Sequence, residues 1–418
     1  MTFSPPIEDA VWAFAEGHGT DIGAVLAQLL PALTTRPRLL GLGEPTHGVE
    51  DFLLLRNRLF RHLAEYEGFR SIALESDCVA GLLVDDFVGG APGSVDEVTR
   101  NGFSHGWGTS PANRELVGWM REYNQGRPAA DRLRFHGFDA PTEITAAPSP
   151  RQALLALHGY LAANVDAELL SHNAETIERL VGAEERWTEP AAMRDPARSV
   201  GSSEDVAKLR LLADDLQELL LELSPHLLTV TSPGAWWRAR LYARAATGLL
   251  RYHAAMADDS PARFTRLTGL RDTMMSANLE SIVAEQAERG PTMVFAHNLH
   301  LQREKNRMTM GGQELGWWSA GAITGARLRD RYAFLATAVG GLPARGLGVP
   351  EDESLEGILS SLPENGYLVD SARLGEALRK SGITPKPRTD ASTAFGYFPL
   401  DPEHLEDTDG IVFLKEAG

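Results

Sequence analysis

The chain has 418 residues, with 40 Lys plus Arg against 57 Asp plus Glu, a formal net charge of −17, 43% hydrophobic and 23% charged residues. That length suits two or three domains of roughly 100–200 residues around a sizeable core, and the acidic balance argues against nucleic acid and anionic membrane surfaces, which select clustered basic charge. No run approaches the about 18 apolar residues of a spanning helix, the N-terminus MTFSPPIEDAVWAF carries no basic and apolar export segment, and the single cysteine, Cys78, can form neither an intrachain disulfide nor a multi-thiolate metal site. The expectation is a water-soluble, cytoplasmic protein.

In chain order, residues 1–35 read as a helix, and RLLGLG (38–43) as a buried strand ended by glycine. The segment 49–68 has Phe52, Leu55, Leu59 and Leu63 at helical spacing and closes on Gly68. FRSIALES (69–76) is a second strand, so the order is strand, helix, strand, the pattern of a parallel sheet covered by helices. Further strands are predicted at 132–139, 291–298 and 331–340, and a last one at 409–416. The stretch 141–290, rich in Leu, Ala, Glu and Arg, reads as a helical insertion with 182–205 as its loop. The predicted organisation is an α/β half over 1–140 that carries the site loop, the insertion over 141–290, and a second α/β half over 291–418.

Loops past the carboxyl ends of parallel strands are where such folds hold ligands. The first predicted strand delivers Gly43-Glu44-Pro45-Thr46-His47-Gly48 there, a charged acid and a histidine three residues apart. The bland reading is a capping loop with Thr46 as N-cap; the functional one makes His47 a general base, kept neutral by the positive end of the following helix. Arg56 falls on the buried face of that helix and needs a partner, for which Glu44 or Glu75 is the candidate. The second strand ends in Glu75-Ser76-Asp77-Cys78, where Glu75 is a site candidate and Cys78 a small buried hydrophobe. The strand near 291–298 ends in His297-Asn298-Leu299-His300, whose two histidines join the same edge. Gly102-Phe103-Ser104-His105-Gly106 matches the letters of a nucleophile elbow, but the polar VDEVTRN before it is no buried strand. Trp107, Trp236, Trp237, Trp317 and Trp318 could line a pocket.

LLGLGEPTHGVEDFLLLRNRLFRHL, GFRSIALESD, ANRELVGWMREYN, FHGFD, RDTMMSANL and VFAHNLH occur in an order and context that resemble the erythromycin esterase family, over roughly 40–340. The resemblance implies a three-layer α/β/α core with a mainly parallel sheet, a helical insertion, and a cleft at the strand ends. It also implies ester hydrolysis by an activated water, with no covalent intermediate and no required cofactor or metal. His47 is then the general base, with Glu44, Glu75 and His297 as catalytic partners, and Arg56, His300, Trp107, Asn113, Glu115 and Arg271 as substrate-binding candidates. The implied partner is a small molecule such as a macrolide or a modified peptide. Where members resembling the macrolide enzymes carry a Trp-rich segment, this chain has Trp107-Gly-Thr-Ser-Pro-Ala, so the natural substrate stays open between defence and biosynthesis.

Three alternatives use the same residues. His47, Glu44, Glu75, His297 and His300 could ligate zinc or manganese in a metal-dependent hydrolase, although no H-E-x-x-H is present. The same base could remove a substrate proton and eliminate water, a lyase. The wider superfamily also resembles haem-binding proteins, a non-catalytic reading.

Overall fold

The structure is a computed structural model of the chain and describes all residues except 1–4, 16–20, 34, 144–145, 311 and 392–395. Ten strands are described: β1 (Val11–Phe14), β2 (Leu39–Glu44), β3 (Ser71–Asp77), β4 (Arg134–Asp139), β5 (Thr292–His297), β6 (Lys305–Met310), β7 (Gln313–Trp318), β8 (Tyr332–Gly341), β9 (Gly366–Asp370) and β10 (Gly410–Glu416). Eight form one sheet in the order β1-β9-β10-β8-β2-β5-β3-β4, while β6 and β7 form a separate hairpin. From β10 to β4 every described pairing is parallel; β9 runs antiparallel to both of its neighbours.

Strand alternation divides the core between two faces. Leu40, Leu42, Ile72, Leu74, Met293 and Phe295 pack with Phe52, Leu55, Leu59 and Leu63 of the Glu50–Tyr66 helix. Leu39, Ala73, Val294 and Ala296 pack on the opposite side with Met275, Leu279 and Ile282 of the Arg263–Glu285 helix. These are the three layers of an α/β/α fold, mostly parallel in its sheet. The Arg151–Asn164, Ala174–Val181, Glu204–Glu222 and Pro233–Met256 helices gather around a core of their own, which includes Leu154, Leu209 and Leu250. The polar stretch 182–205 folds as short 3₁₀ turns and buries Trp187, whose indole donates to Val181 O.

The N-terminal expectation is corrected. In place of one helix over 1–35, the described residues hold short helices at Pro5–Glu8 and Ile22–Leu29 with β1 between them. Val11, Trp12 and Phe14 are residue types that favour strands, and β9 offers an open edge to pair with, so tertiary pairing overrides a weak helical pattern. The hairpin β6–β7 and the Ser371–Lys380 helix were also outside the sequence reading.

One close approach shapes the edge where the strands end. Pairing of β2 with β8 ends at Leu42 and Leu335, and beyond it Asn298 takes over, donating from Nδ2 to Thr337 O (2.8 Å) and accepting from Thr337 N–H (3.2 Å). That side chain lies over Gly43, where any Cβ would collide with it. Gly43→Ala is therefore expected to destabilise the fold by about 1–3 kcal/mol, the usual range for overpacking, and to reduce activity by shifting Glu44, as measured by urea unfolding monitored alongside turnover.

Candidate active site

In the order β2-β5-β3-β4, the carboxyl ends of four adjacent strands bring Glu44, His297, Glu75 and Asp139 to one edge. Glu44 and His297 are direct partners in the β2–β5 register. The loop after β2 turns at Gly48 (φ 73°) and is pinned by Arg345, which donates to Thr46 Oγ1 (3.2 Å) and Gly48 O (2.8 Å). Thr46 does not cap the following helix; its N-cap is Val49, with no side-chain bond. Glu50 in the first turn instead accepts from Ser110 Oγ and Ala112 N–H, holding the start of the Pro111–Asn124 helix.

His47 stands where loop and strand ends meet, its side chain 39% exposed. Its Nδ1 lies 2.6 Å from Glu44 Oε1 and its Nε2 3.7 Å from Glu75 Oε1. The ring sits between Trp107 and His297, with both centroids at 5.1 Å. Burial opposes charging this imidazole, but the Glu75 and Glu44 carboxylates outweigh it and raise its pKa to about 9. The neutral His47 expected from the helix end is thus corrected: at neutral pH the resting group is an imidazolium.

Glu75 is the hub. Its Oε2 accepts from the His297 backbone N–H (2.8 Å), and its Oε1 faces Arg271 Nη2 (2.9 Å), His300 Nε2 (3.4 Å) and His47. Burial alone would raise its pKa; His300, His47, Arg271 and the His297 N–H reverse that and hold it below the ordinary carboxylate range. Arg271 is in turn gripped by Asp139, through Nε to Oδ1 (3.0 Å) and Nη2 to Oδ2 (2.7 Å). His300 Nδ1 bonds Asp272 Oδ1 (2.9 Å), and despite burial Asp272 and then Glu75 raise its pKa. His297 behaves oppositely. Its Nδ1 accepts from Leu299 N–H (3.1 Å), leaving Nε2–H to donate to Gly396 O (3.2 Å), and burial followed by the His47 charge pushes its pKa down to about 3.

Beside this cluster opens a cavity of about 310 Å³, lined by Glu44, Arg56, Glu75, Trp107, Asn113 and Phe295 among others. Arg56 is wholly buried, and burial pushes its guanidinium down to about 10. Its bonds go to amides, Asn113 Oδ1 (2.9 Å) and Asn57 Oδ1 (2.8 Å), and it lies over the Phe295 ring. The expected Glu44 or Glu75 partner is not within bonding distance among the described residues. Asn113 completes this floor by donating to Trp107 O (3.0 Å).

Glu115 stands apart: half-exposed, it pairs with Arg61 (2.6 Å) outside the cavity. Cys78 is buried in the insertion's core, and burial pushes its thiol pKa up. Ser104 is an anchor, its hydroxyl accepting from Asp77 N–H (2.9 Å) and meeting Ser76 Oγ (3.3 Å). Trp317 is buried on Asp272, whereas Trp236 and Trp237 pack on each other. Three residues were read in the sequence but not as site candidates: Asp139, Asp272, and His105, which links Asp139 (3.2 Å) to Glu143 (2.9 Å) and packs on Trp107. Asp139 was findable by the strand-end rule that singled out Glu75; Asp272 follows Arg271 directly.

For a metal, the arrangement is unfavourable. Arg271 already occupies the space beside Glu75, and both ring nitrogens of His297 are engaged. Among the described residues, the His and acid ligand atoms that converge within 4.8 Å of one another are those of Glu304, His404 and Asp407, outside this cavity. No described helix is long and apolar enough to cross a membrane.

Fold and site together define a doubly covered parallel sheet with an ionised histidine–carboxylate cluster at its strand ends, the setting of an enzyme. The family profile described as erythromycin esterase matches residues 64–417, and the chain belongs to the erythromycin esterase family. It is 32% identical over 104 residues to an erythromycin esterase type II of Escherichia coli, a match covering 25% of this chain and 24% of that protein. In fold it is similar to a protein from Bacillus cereus (TM-score 0.72, 16% identity, 98% of this chain and 96% of that one). It is likewise similar to a succinoglycan biosynthesis protein (0.69, 16%, 99% and 96%) and to a mutant of the erythromycin esterase EreC in its open conformation (0.64, 19%, 94% and 93%).

The raised His47 pKa has a consequence for stability. Its folded value near 9 lies above the unfolded 6.5, so the stabilisation is full below pH 6.5 and fades as pH rises through 9. The depressed Glu75 pKa acts the other way, its contribution being lost only as pH falls into the acid range. Melting curves between pH 6.5 and 9 are expected to show a downward trend that is shallower in His47→Asn.

Proposed function

We propose that this chain is a carboxylic ester hydrolase that activates water with His47 and needs no metal. The observation that carries this reading is the His47 imidazole held by Glu44 through Nδ1 and facing Glu75 through Nε2, two carboxylates that line the cavity. Once His47 has lost its extra proton, the 2.6 Å bond to Glu44 keeps the remaining one on Nδ1, and Nε2 carries the lone pair. Nε2 then takes a proton from water as the oxygen adds to the ester carbonyl carbon. The negative charge that develops on the carbonyl oxygen needs preorganised donors, commonly the largest catalytic contribution. Arg56, which lines the cavity, is the group we assign to that task, because the His297 backbone N–H is spent on Glu75 and its Nε2–H on Gly396 O. The C–O bond then breaks, and the leaving alkoxide takes the proton back from Nε2.

Trp107 and Phe295 offer aromatic walls for a partly apolar substrate, and Asn113 holds the Arg56 guanidinium in place. The named relatives are erythromycin esterases, so a macrolactone or a related ester of small-molecule metabolism is the substrate class we propose. Metal independence is supported by the guanidinium of Arg271 beside Glu75, where a metal would otherwise be attracted.

The test is mass spectrometry of erythromycin and a panel of lactones and esters incubated with EDTA-treated protein. The expected product gains one water, and His47→Ala is expected to lower the rate by about a hundredfold or more, the contribution of a general base. A product that loses water would make the enzyme a lyase, and activity that needs added zinc or manganese would overturn metal independence. Because the imidazolium has no lone pair, kcat/KM is expected to climb with pH along a limb with apparent pKa near 9.

A further inference from the structure

Five side chains alternate acid and imidazole along the strand ends. Glu44 Oε1 meets His47 Nδ1 (2.6 Å), His47 Nε2 faces Glu75 Oε1 (3.7 Å), the same oxygen faces His300 Nε2 (3.4 Å), and His300 Nδ1 bonds Asp272 Oδ1 (2.9 Å). The outer end of this chain is fixed independently of any substrate. Asp272, 1% exposed, also accepts from Trp317 Nε1 (2.7 Å) and Ala320 N–H (2.8 Å). Those donors sit on β7 and on the Ala320–Leu328 helix that follows, so the hairpin, the Arg263–Glu285 helix and the end of β5 are tied at one carboxylate.

We propose that Asp272 is a positioning residue of the site: by holding His300 through Nδ1 it presents Nε2 to Glu75, and so sets how much of the Glu75 charge is left to act on His47. The proposal rests on the reading of His47 as the base. The charged and titratable groups facing His300 are Asp272 and Arg271 from the Arg263–Glu285 helix, Glu75 from β3 and His297 from β5. With the Asp272 carboxylate on its Nδ1, His300 joins Arg271 in facing the Glu75 carboxylate. When the Asp272 charge is removed, His300 gives up its proton more readily, Glu75 is compensated by Arg271 alone, and its field falls more heavily on His47. His47 then holds its proton to higher pH, and less of the free base is present near neutrality.

Asp272→Asn keeps the shape and removes the charge. In protein carrying isotope-labelled histidine, the NMR titration of His300 is expected to move down by about one pH unit or more, the scale of a close carboxylate's effect. The rising limb of kcat/KM is expected to move to higher pH, and activity at neutral pH to fall roughly 10–100-fold, as partners that orient a functional imidazole typically do. A residue that merely packs would lower stability without moving either curve. Trp317→Phe is the second variant, since it keeps the Asp272 charge but removes one N–H donor to it, and the less satisfied carboxylate then bears more strongly on His300. Its His300 titration is expected to shift upward, opposite in sign to Asp272→Asn, which keeps the test decisive if the asparagine variant fails to fold. A His300 titration that matches the native protein in the variants that fold would overturn the proposal, as would a shifted His300 with an unmoved limb of kcat/KM. Native protein that turns over no ester while His300 responds as expected would refute the hydrolase reading and leave the hold of Asp272 on His300 intact.

Discussion

The site depends on a buried negative charge, that of Glu75. A carboxylate taken out of water at the end of a central strand is costly unless cations and N–H groups replace its hydration. Here one oxygen is met by a backbone N–H and the other by a guanidinium and two imidazoles. Each of those partners brings its own requirement. Arg271 needs Asp139, His300 needs Asp272, and His47 needs Glu44, so one buried charge at β3 determines residue types on β2, on β4, in the turn of helix after β5 and on the Arg263–Glu285 helix.

Topology makes this arrangement available. Parallel strands end on one side of a sheet, and because β2, β5, β3 and β4 are consecutive neighbours, the acids at their carboxyl ends come to one edge, where His47 bridges Glu44 to Glu75 and Arg271 bridges Glu75 to Asp139. The same geometry needs room at two places. Gly43 admits the Asn298 amide that bridges to β8, and Gly137 lets β4 pass the Ser76 and Asp77 carbonyls, where the β3–β4 register shifts. The glycines are thus part of how the acids are delivered.

Much of this was legible in the sequence, and the failures have physical causes. Short apolar runs ending in Gly or a polar residue revealed β2, β3, β4, β5, β8 and β10, and residues at or just past the ends of β2, β3 and β5 were recognised as candidates. Asp139 obeyed the same rule but was passed over, because without Arg271 in place nothing marks a strand-end aspartate as a partner. Glu115 was drawn in by its nearness to Asn113, yet two residues along a helix is about 200° of rotation, which turns it to the exposed face beside Arg61. Arg56 was correctly placed on the buried face, but its partners are Asn57 and Asn113; amide oxygens satisfy a guanidinium without adding a second buried charge. β1 was missed since the edge it pairs with, that of β9, lies more than 350 positions away, and strand-favouring residue types alone do not mark so short a segment.

The charge of His47 shows how magnitudes decide between two sound local arguments. A helix N-terminus disfavours a cation by about 0.3–1 kcal/mol, an effect that falls off within the first turn. A carboxylate bonded at 2.6 Å, with a second one 3.7 Å away, acts at much shorter range and with full unit charge. Proximity therefore prevails, and the imidazole rests protonated. His297, only 5.1 Å from it ring to ring, is driven the other way, since burial and the adjacent His47 charge both oppose a second imidazolium and its Nδ1 lone pair already accepts from Leu299 N–H. Two histidines in contact thus hold opposite protonation states, and the difference is set by which of them has a carboxylate within bonding distance.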